Sequence, residues 1–324
     1  MTLSAEVQEL LSWDAAIGAR CNGLPVEKQR AVIQDALEKR AAQTGLVIEP
    51  VARVEDLAVP VGGDWIRLRV YTPFGEGPHP AFLHIHGGGF VHGSIDWIYN
   101  AAKCAHICVS AGCVVATVEY RLAPEFPFPT ATEDCYSALC WLVEHAEEVA
   151  VDPTRIAVGG ESAGGNLAAV LALMARDRGG ASLSLQVLEV PVTDMSERSL
   201  GHASLGLFGD GYGLDRENIE SFTADYLPNV NDRDSTYASP LRASELAGLA
   251  PAHVLTAEFD PLRDSGEAYA RRLQEAGVKT TLHRFTGHTH GSSGLWQSWP
   301  PARAWMDEMG GAIRDAVSAP VPVS

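Results

Sequence analysis

Arg155-Ile156-Ala157-Val158-Gly159-Gly160-Glu161-Ser162-Ala163-Gly164-Gly165 is the stretch whose reading decides the fold. A short β-rich run feeds a serine with glycine two positions before it and two after it, and the helix-favouring segment Asn166 to Arg176 follows. This is the G-x-S-x-G strand-to-helix turn, which holds the serine in strained backbone geometry with its hydroxyl exposed. A side chain at 160 or 164 would collide with the neighbouring strand or helix, so both positions call for glycine. The five-residue pattern by itself is common. Its place between a strand and a helix gives it weight.

Upstream, Ala81 to His86 reads as a buried strand running straight into Gly87-Gly88-Gly89-Phe90. Free backbone N–H groups in such a loop can face the oxyanion of a tetrahedral intermediate, joined by the N–H of Ala163 after the serine. Without Ser162 these glycines would read equally well as a turn after a strand. A dinucleotide or phosphate loop fits poorly. Glu161 stands where G-x-G-x-x-G requires glycine, and no Gly-Lys-Ser/Thr follows either cluster.

Serine needs a base, and the base an orienting carboxylate. The chain order in this class of fold is serine, acid, histidine, each on a loop after a strand. Among the later histidines, His253 opens a strand-like run and His283 lies inside the alternating run Thr280 to Phe285, so both read as structural. His288 and His290 lie in Thr286-Gly287-His288-Thr289-His290-Gly291, a loop beyond that run, where the base belongs. Asp260, just after His253 to Ala257, is the acid. Asp264 reads as a first-turn residue of the helical segment Ser265 to Ala276, where a carboxylate suits the helix dipole.

The chain resembles the hormone-sensitive-lipase-like branch of α/β-hydrolase carboxylesterases. The resemblance rests on His86-Gly87-Gly88-Gly89, Tyr120-Arg121-Leu122-Ala123-Pro124-Glu125, Gly160 to Gly165, Asp260-Pro261-Leu262-Arg263-Asp264 and His290-Gly291, in that order. It implies Ser162, Asp260 and His290 as the catalytic triad, His288 being the runner-up base. It also implies Gly88, Gly89 and Ala163 as oxyanion donors, with His86, Gly87 and Glu161 in support. Two positions depart from the family pattern. Glu161 stands in place of the commoner aspartate, and Ser292 in place of the usual phenylalanine, where it is expected to reshape the pocket wall beside the base.

Composition narrows the function. The 324 residues hold 24 basic against 41 acidic side chains, a formal charge of −17, which argues against nucleic acid, anionic membrane surfaces and polyanionic substrates. Hydrophobic content of 46% is enough for a large core. The N-terminus carries Glu6 and Glu9 before its first positive charge at Arg20, unlike a signal peptide. The longest apolar stretch, Cys104 to Val118, is 15 residues and too short to span a bilayer. Six cysteines show no C-x-x-C pair and read as reduced core residues of a cytoplasmic protein. His84-x-His86 and His288-x-His290 lack the further ligands of a zinc site, so no metal and no cofactor is expected.

The expected architecture is an α/β-hydrolase fold, a mostly parallel central sheet with helices on both faces and a helical cap. Residues 1–50 look helical; Val26, Ile33, Leu37 and Ala41 fall near one face, and the resemblance makes this segment part of the cap. Residues 51–194 form the first part of the core and open with a hairpin turning at Gly62-Gly63-Asp64. Residues 195–240 are glycine-rich with a helical piece at Arg216 to Tyr226 and read as a cap insertion; 241–324 complete the core. No low-complexity tail appears beyond Ala319 to Ser324. Arg121 and Glu125 are expected to form a supporting ion pair in a proline-braced loop. Thr280 to Phe285 would be an edge strand, open to pairing in a homodimer.

These readings converge on a cofactor-independent serine carboxylesterase acting on small-molecule esters through an acyl-enzyme, with short acyl chains expected from the resemblance. Activity should rise as His290 loses its proton near the ordinary pKa of roughly 6.5. An amidase or arylformamidase, or a longer-chain lipase, would keep the chemistry. A non-catalytic receptor on the same fold would have no need of an intact base.

Overall fold

A computed structural model describes residues 3–318, so the tail Ala319 to Ser324 lies outside the described residues. Two helices come first, α1 (Ala5–Cys21) and α2 (Val26–Thr44). A hairpin of β1 (Arg53–Val61) and β2 (Asp64–Thr72) follows. Its turn places both Gly62 and Gly63 at positive φ, 51° and 91°, as the tight turn between antiparallel strands requires.

Strands and helices then alternate: β3 (His79–Ile85), α3 (Ile98–Ala111), β4 (Val114–Val118), α4 (Thr130–Glu144), β5 (Val151–Glu161), α5 (Ala163–Asp177) and β6 (Leu183–Glu189). Two helices interrupt, α6 (Ala203–Phe208) and α7 (Arg216–Tyr226), before β7 (Ala252–Phe259), α8 (Arg263–Glu275), β8 (Thr280–Thr289) and α9 (Pro300–Ala316). The eight strands form one sheet in the order β1-β2-β4-β3-β5-β6-β7-β8. Every pairing from β4 to β8 is parallel, and the hairpin is joined to β4 antiparallel. This is the α/β-hydrolase architecture.

Side chains alternate across the sheet. Ala81, Leu83 and Ile85 of β3 enter a core with α4, α5 and α8, whereas Phe82 enters a second core with α3 and α9. β4 divides likewise, Val114, Ala116 and Val118 to the first and Val115 to the second. A strand apolar on both faces is what covered parallel sheets demand, and each fully buried large side chain contributes roughly 1.5–3 kcal/mol.

Several segments differ from the sequence reading. The apolar run Cys104 to Val118 divides between α3 and β4 at Gly112, which takes φ 64° and ends the helix in the left-handed region. α4 ends at Glu144, and β5 begins at Val151, ahead of the run from Arg155 quoted above, where it pairs with His79. β8 is longer than Thr280 to Phe285 and carries His288 and Thr289 as buried terminal residues rather than loop. It is the edge strand expected there, hydrogen-bonded only to β7. No described helix is long and apolar enough to cross a membrane.

The Arg121–Glu125 ion pair does not form. Arg121 turns inward and places its backbone N–H and guanidinium on Asp134, a buried residue of α4. Glu125 instead takes a two-pronged contact from Arg30 of α2, at 2.8 Å for each nitrogen. Arg30 also donates to the carbonyls of Val91 and Ala123, so it ties α2 to the loops beneath.

Candidate active site

Ser162 sits where β5 passes into α5, with φ 57° and ψ −116°, a strained conformation for a residue with a side chain. The flanking glycines permit it. A Cβ on Gly160 would fall 2.3 Å, and one on Gly164 2.0 Å, from the carbonyl oxygen of Ile85. The elbow is therefore pressed against the end of β3, which places the Gly87–Gly89 loop beside the serine.

Asp260 follows β7 and His290 follows β8, so all three groups emerge at the carboxyl end of the parallel strands. His290 Nε2 lies 2.9 Å from Ser162 Oγ, and His290 Nδ1 lies 3.0 Å from Asp260 Oδ2. The other carboxylate oxygen of Asp260 accepts the Leu262 N–H at 2.9 Å, and the residue is fully buried. Burial works to lower the His290 pKa, but the adjoining Asp260 carboxylate outweighs it, with help from Glu161 and Asp14, so His290 titrates above its ordinary value. The acid limb of activity is therefore expected above the ordinary histidine pKa rather than at it.

His288 is not brought to the site. It is buried among Phe285, Trp299 and Trp305, with Nδ1 2.9 Å from Ser292 Oγ. Burial lowers its pKa to about 4. Ser292 does not form the pocket wall either. It is fully buried, and its Oγ accepts the Thr289 N–H and donates to the Thr289 carbonyl, both at 3.0 Å. The departure at 292 thus braces the turn that presents His290.

In the glycine loop, Gly88 and Gly89 take φ 118° and 63°, and neither N–H donates to an acceptor among the described residues. A Cβ on Gly88 would fall 2.3 Å from the His92 carbonyl oxygen. Ala163 opens α5, where the first N–H groups have no intrahelical carbonyl to reach. Three uncommitted donors therefore lie around Ser162. His86 braces the loop, its Nδ1 2.8 Å from the Gly87 carbonyl and its ring stacked 4.3 Å from Tyr120, whose hydroxyl donates to the His86 carbonyl.

Glu161 reveals a group the sequence reading missed. Its carboxylate lies 2.6 Å from Lys103 Nζ, and Lys103 also reaches Glu189 at 2.7 Å. Glu189 in turn accepts the Trp305 indole N–H. Burial works to raise the Glu161 pKa, yet Lys103 brings it down to about 2. Lys103 is itself buried, and its two carboxylates hold it charged. Lys103, the sole lysine, arginine or carboxylate in the helix Ile98–Ala111, was the available signal.

The site opens into a cavity of about 450 Å³. Leu10, Trp13 and Asp14 of α1, Ile33, Leu37 and Arg40 of α2, and Phe222 of α7 line it. Gly87–Gly89, Ser162 and His290 form the floor. No cluster of three metal-ligating side chains occurs among the described residues.

Comparison with known proteins follows the same lines. A family model described as alpha/beta hydrolase fold matches residues 82–293. The chain is 39% identical over 326 residues to the carboxylic ester hydrolase LipN of Mycobacterium tuberculosis, covering 98% of this chain and 84% of that protein. It is 41% identical over 258 residues to an ethyl acetate hydrolase of Pseudomonas putida, covering 78% of this chain and 79% of that protein. Among solved structures, the hyperthermophilic esterase from Pyrobaculum calidifontis superposes with a TM-score of 0.90 at 35% identity, covering 98% and 100% of the two chains.

Proposed function

The chain belongs to the hormone-sensitive-lipase-like branch of the α/β-hydrolase family and is an ester hydrolase, and from that premise we propose that it works as a serine carboxylesterase through Ser162, His290 and Asp260. The observation that carries this reading is the unbroken relay from Ser162 Oγ through both ring nitrogens of His290 to Asp260, with hydrogen-bond distances of 2.9 and 3.0 Å.

His290 Nε2 takes the serine proton as Oγ attacks the ester carbonyl. The N–H groups of Gly88, Gly89 and Ala163 stabilise the oxyanion, each donor being preset rather than recruited during reaction. His290 then protonates the leaving alcohol, and water enters to hydrolyse the acyl-enzyme. Asp260 keeps the proton on Nδ1 and stabilises the imidazolium. Glu161, anchored by Lys103, adds negative charge near His290 and favours the same charged form.

Residues 5–44 and 195–240 act as a cap in this reading. Side chains from both segments line the cavity over Ser162, which limits solvent and shapes acyl selection. A cavity of about 450 Å³ suits acyl chains of acetate to hexanoate size better than long lipid chains. Ser162→Ala should abolish p-nitrophenyl butyrate turnover, and an organophosphate should label Ser162. Retention of full turnover by the variant, or indifference of the native protein to the organophosphate, would remove the mechanism. β8 remains the expected site for a second copy, to be tested by the molecular mass in solution with and without a proline in that strand.

A further inference from the structure

Of Arg40 and Lys103, the arginine and lysine lining the substrate cavity, Arg40 makes no ion pair among the described residues. It is 93% buried, being 7% exposed, on the inner face of α2. No carboxylate lies within 4.0 Å of it, and none of its side-chain N–H groups donates a hydrogen bond to any described residue. Among the described residues its guanidinium meets the Trp13 ring, with the guanidinium carbon 4.9 Å from the ring centroid. By contrast, the other cavity cation, Lys103, is held between two carboxylates.

A guanidinium carries five donors and stays charged at all accessible pH. Burying it without an anion is costly, so buried charges are normally paired. Asp14, on α1 and in the same cavity, is the natural candidate, but it makes no ion pair with Arg40 within 4.0 Å. Burial raises the Asp14 carboxyl to about 7 even with Arg40 and His290 acting in the opposite direction. Asp14 therefore supplies only part of a charge near neutrality and leaves the Arg40 fork uncommitted.

We propose that Arg40 is an anion-binding end of the substrate cavity, and that the preferred substrates are esters bearing a carboxylate remote from the scissile bond. The planar fork matches a carboxylate with two parallel N–H···O bonds, and the Trp13 face holds its plane. The apolar wall from Leu10, Ile33 and Leu37 excludes water and strengthens the pairing. The carboxylate is carried by the acyl chain, in a hemiester of a dicarboxylic acid, or by the alcohol, in an ester of a hydroxy acid. In either case water cleaves the ester bond to acid and alcohol, and the remote carboxylate takes no part in bond making.

This inference rests on the ester-hydrolase reading above, and its test separates the two. Initial rates are followed by pH-stat for monoethyl succinate, glutarate and adipate, and for butyryl glycolate, each against a neutral ester of matched length. The readout is the ratio of kcat/KM for the anionic over the neutral member. The native enzyme should favour at least one anionic ester about tenfold, and Arg40→Met should cut that ratio at least tenfold, with Arg40→Lys intermediate. Which series responds tells whether the acyl or the alcohol side reaches Arg40. Preference for the neutral member in every pair, or equal loss on both members in Arg40→Met, would overturn the proposal. Should no ester be turned over, the mechanism fails first. Calorimetric titration of Ser162→Ala with adipate and glycolate then decides the anion site: binding lost on adding Arg40→Met supports it, and no binding overturns it.

Discussion

Replacing Asp260 by asparagine should cost about 10⁴ in kcat, because a backbone N–H dictates which way the new amide faces. Asp260 accepts two hydrogen bonds, one oxygen from the Leu262 N–H at 2.9 Å and the other from His290 Nδ1 at 3.0 Å. Asparagine has one acceptor oxygen. The Leu262 N–H can only donate, so the amide oxygen stays there and the NH₂ group is turned toward His290. Nδ1 must then accept, which moves the imidazole proton to Nε2, the atom that receives the proton of Ser162 in the proposed mechanism. The base is present but in the wrong tautomer. Losses from this fault are about 10⁴-fold, equivalent to about 5.4 kcal/mol at 1.36 kcal/mol per tenfold.

The assay is kcat on p-nitrophenyl butyrate, with thermal unfolding followed by circular dichroism. Expected is a protein as stable as the parent to within about 1 kcal/mol, with both buried contacts still made. The opposite orientation has a different signature. If the oxygen turns to His290, the Leu262 N–H faces an NH₂ group, stability falls by about 1–3 kcal/mol and kcat drops less than tenfold. That result would refute the reasoning.

Four further outcomes are expected. Because Asp260 and then Glu161 and Asp14 raise the His290 pKa against the effect of burial, the acid limb of activity should lie above roughly 6.5. Asp14→Asn removes one raising charge and should move that limb to lower pH; no shift, or a shift upward, would contradict the electrostatics. Lys103→Met leaves Glu161 and the fully buried Glu189 without their cation and should cost about 3–5 kcal/mol in denaturant unfolding, whereas a loss under about 1 kcal/mol would show the cluster to be unimportant. Gly164→Ala should prevent folding or abolish activity, since its Cβ would lie 2.0 Å from the Ile85 oxygen and 2.7 Å from the His86 oxygen. Gly201→Ala, with open space around it, serves as the silent control in solubility and melting temperature.

Much of the fold was legible because its rules are local. The alternation of apolar runs with helical periods marks a covered parallel sheet, and Gly62-Gly63 marks the hairpin, from neighbours in the chain alone. Errors arose where partners distant in sequence decided the outcome. Arg121 has carboxylates both four residues away at Glu125 and farther along at Asp134. Burial of Asp134 at the start of α4 selects it, and Arg30 from the N-terminal helices takes Glu125. The loop alone admitted either His288 or His290, and the family resemblance favoured His290; β8 extends through Thr289, which directs His288 into the tryptophan-lined core and His290 to the cavity. Arg40 falls three residues after Leu37 and seven after Ile33, so its place on the apolar face of α2 was visible in the helical period. Its lack of a partner was not.

The amino-acid order alone determined the chemistry on offer: a serine in a turn only glycines permit, a glycine loop with uncommitted N–H groups, and an acid and a base after later strands. These follow from steric and hydrogen-bonding rules acting over a few residues. Only the tertiary structure brought Ser162 and His290, 128 residues apart, to 2.9 Å. It did so because β5, β7 and β8 are parallel strands of one sheet that end at the same edge, so the turns following them face one another there. The same packing sets the charge states, since burial and the field of distant carboxylates act through space. No spacing along the chain encodes how far Arg40 or Lys103 lies from an anion.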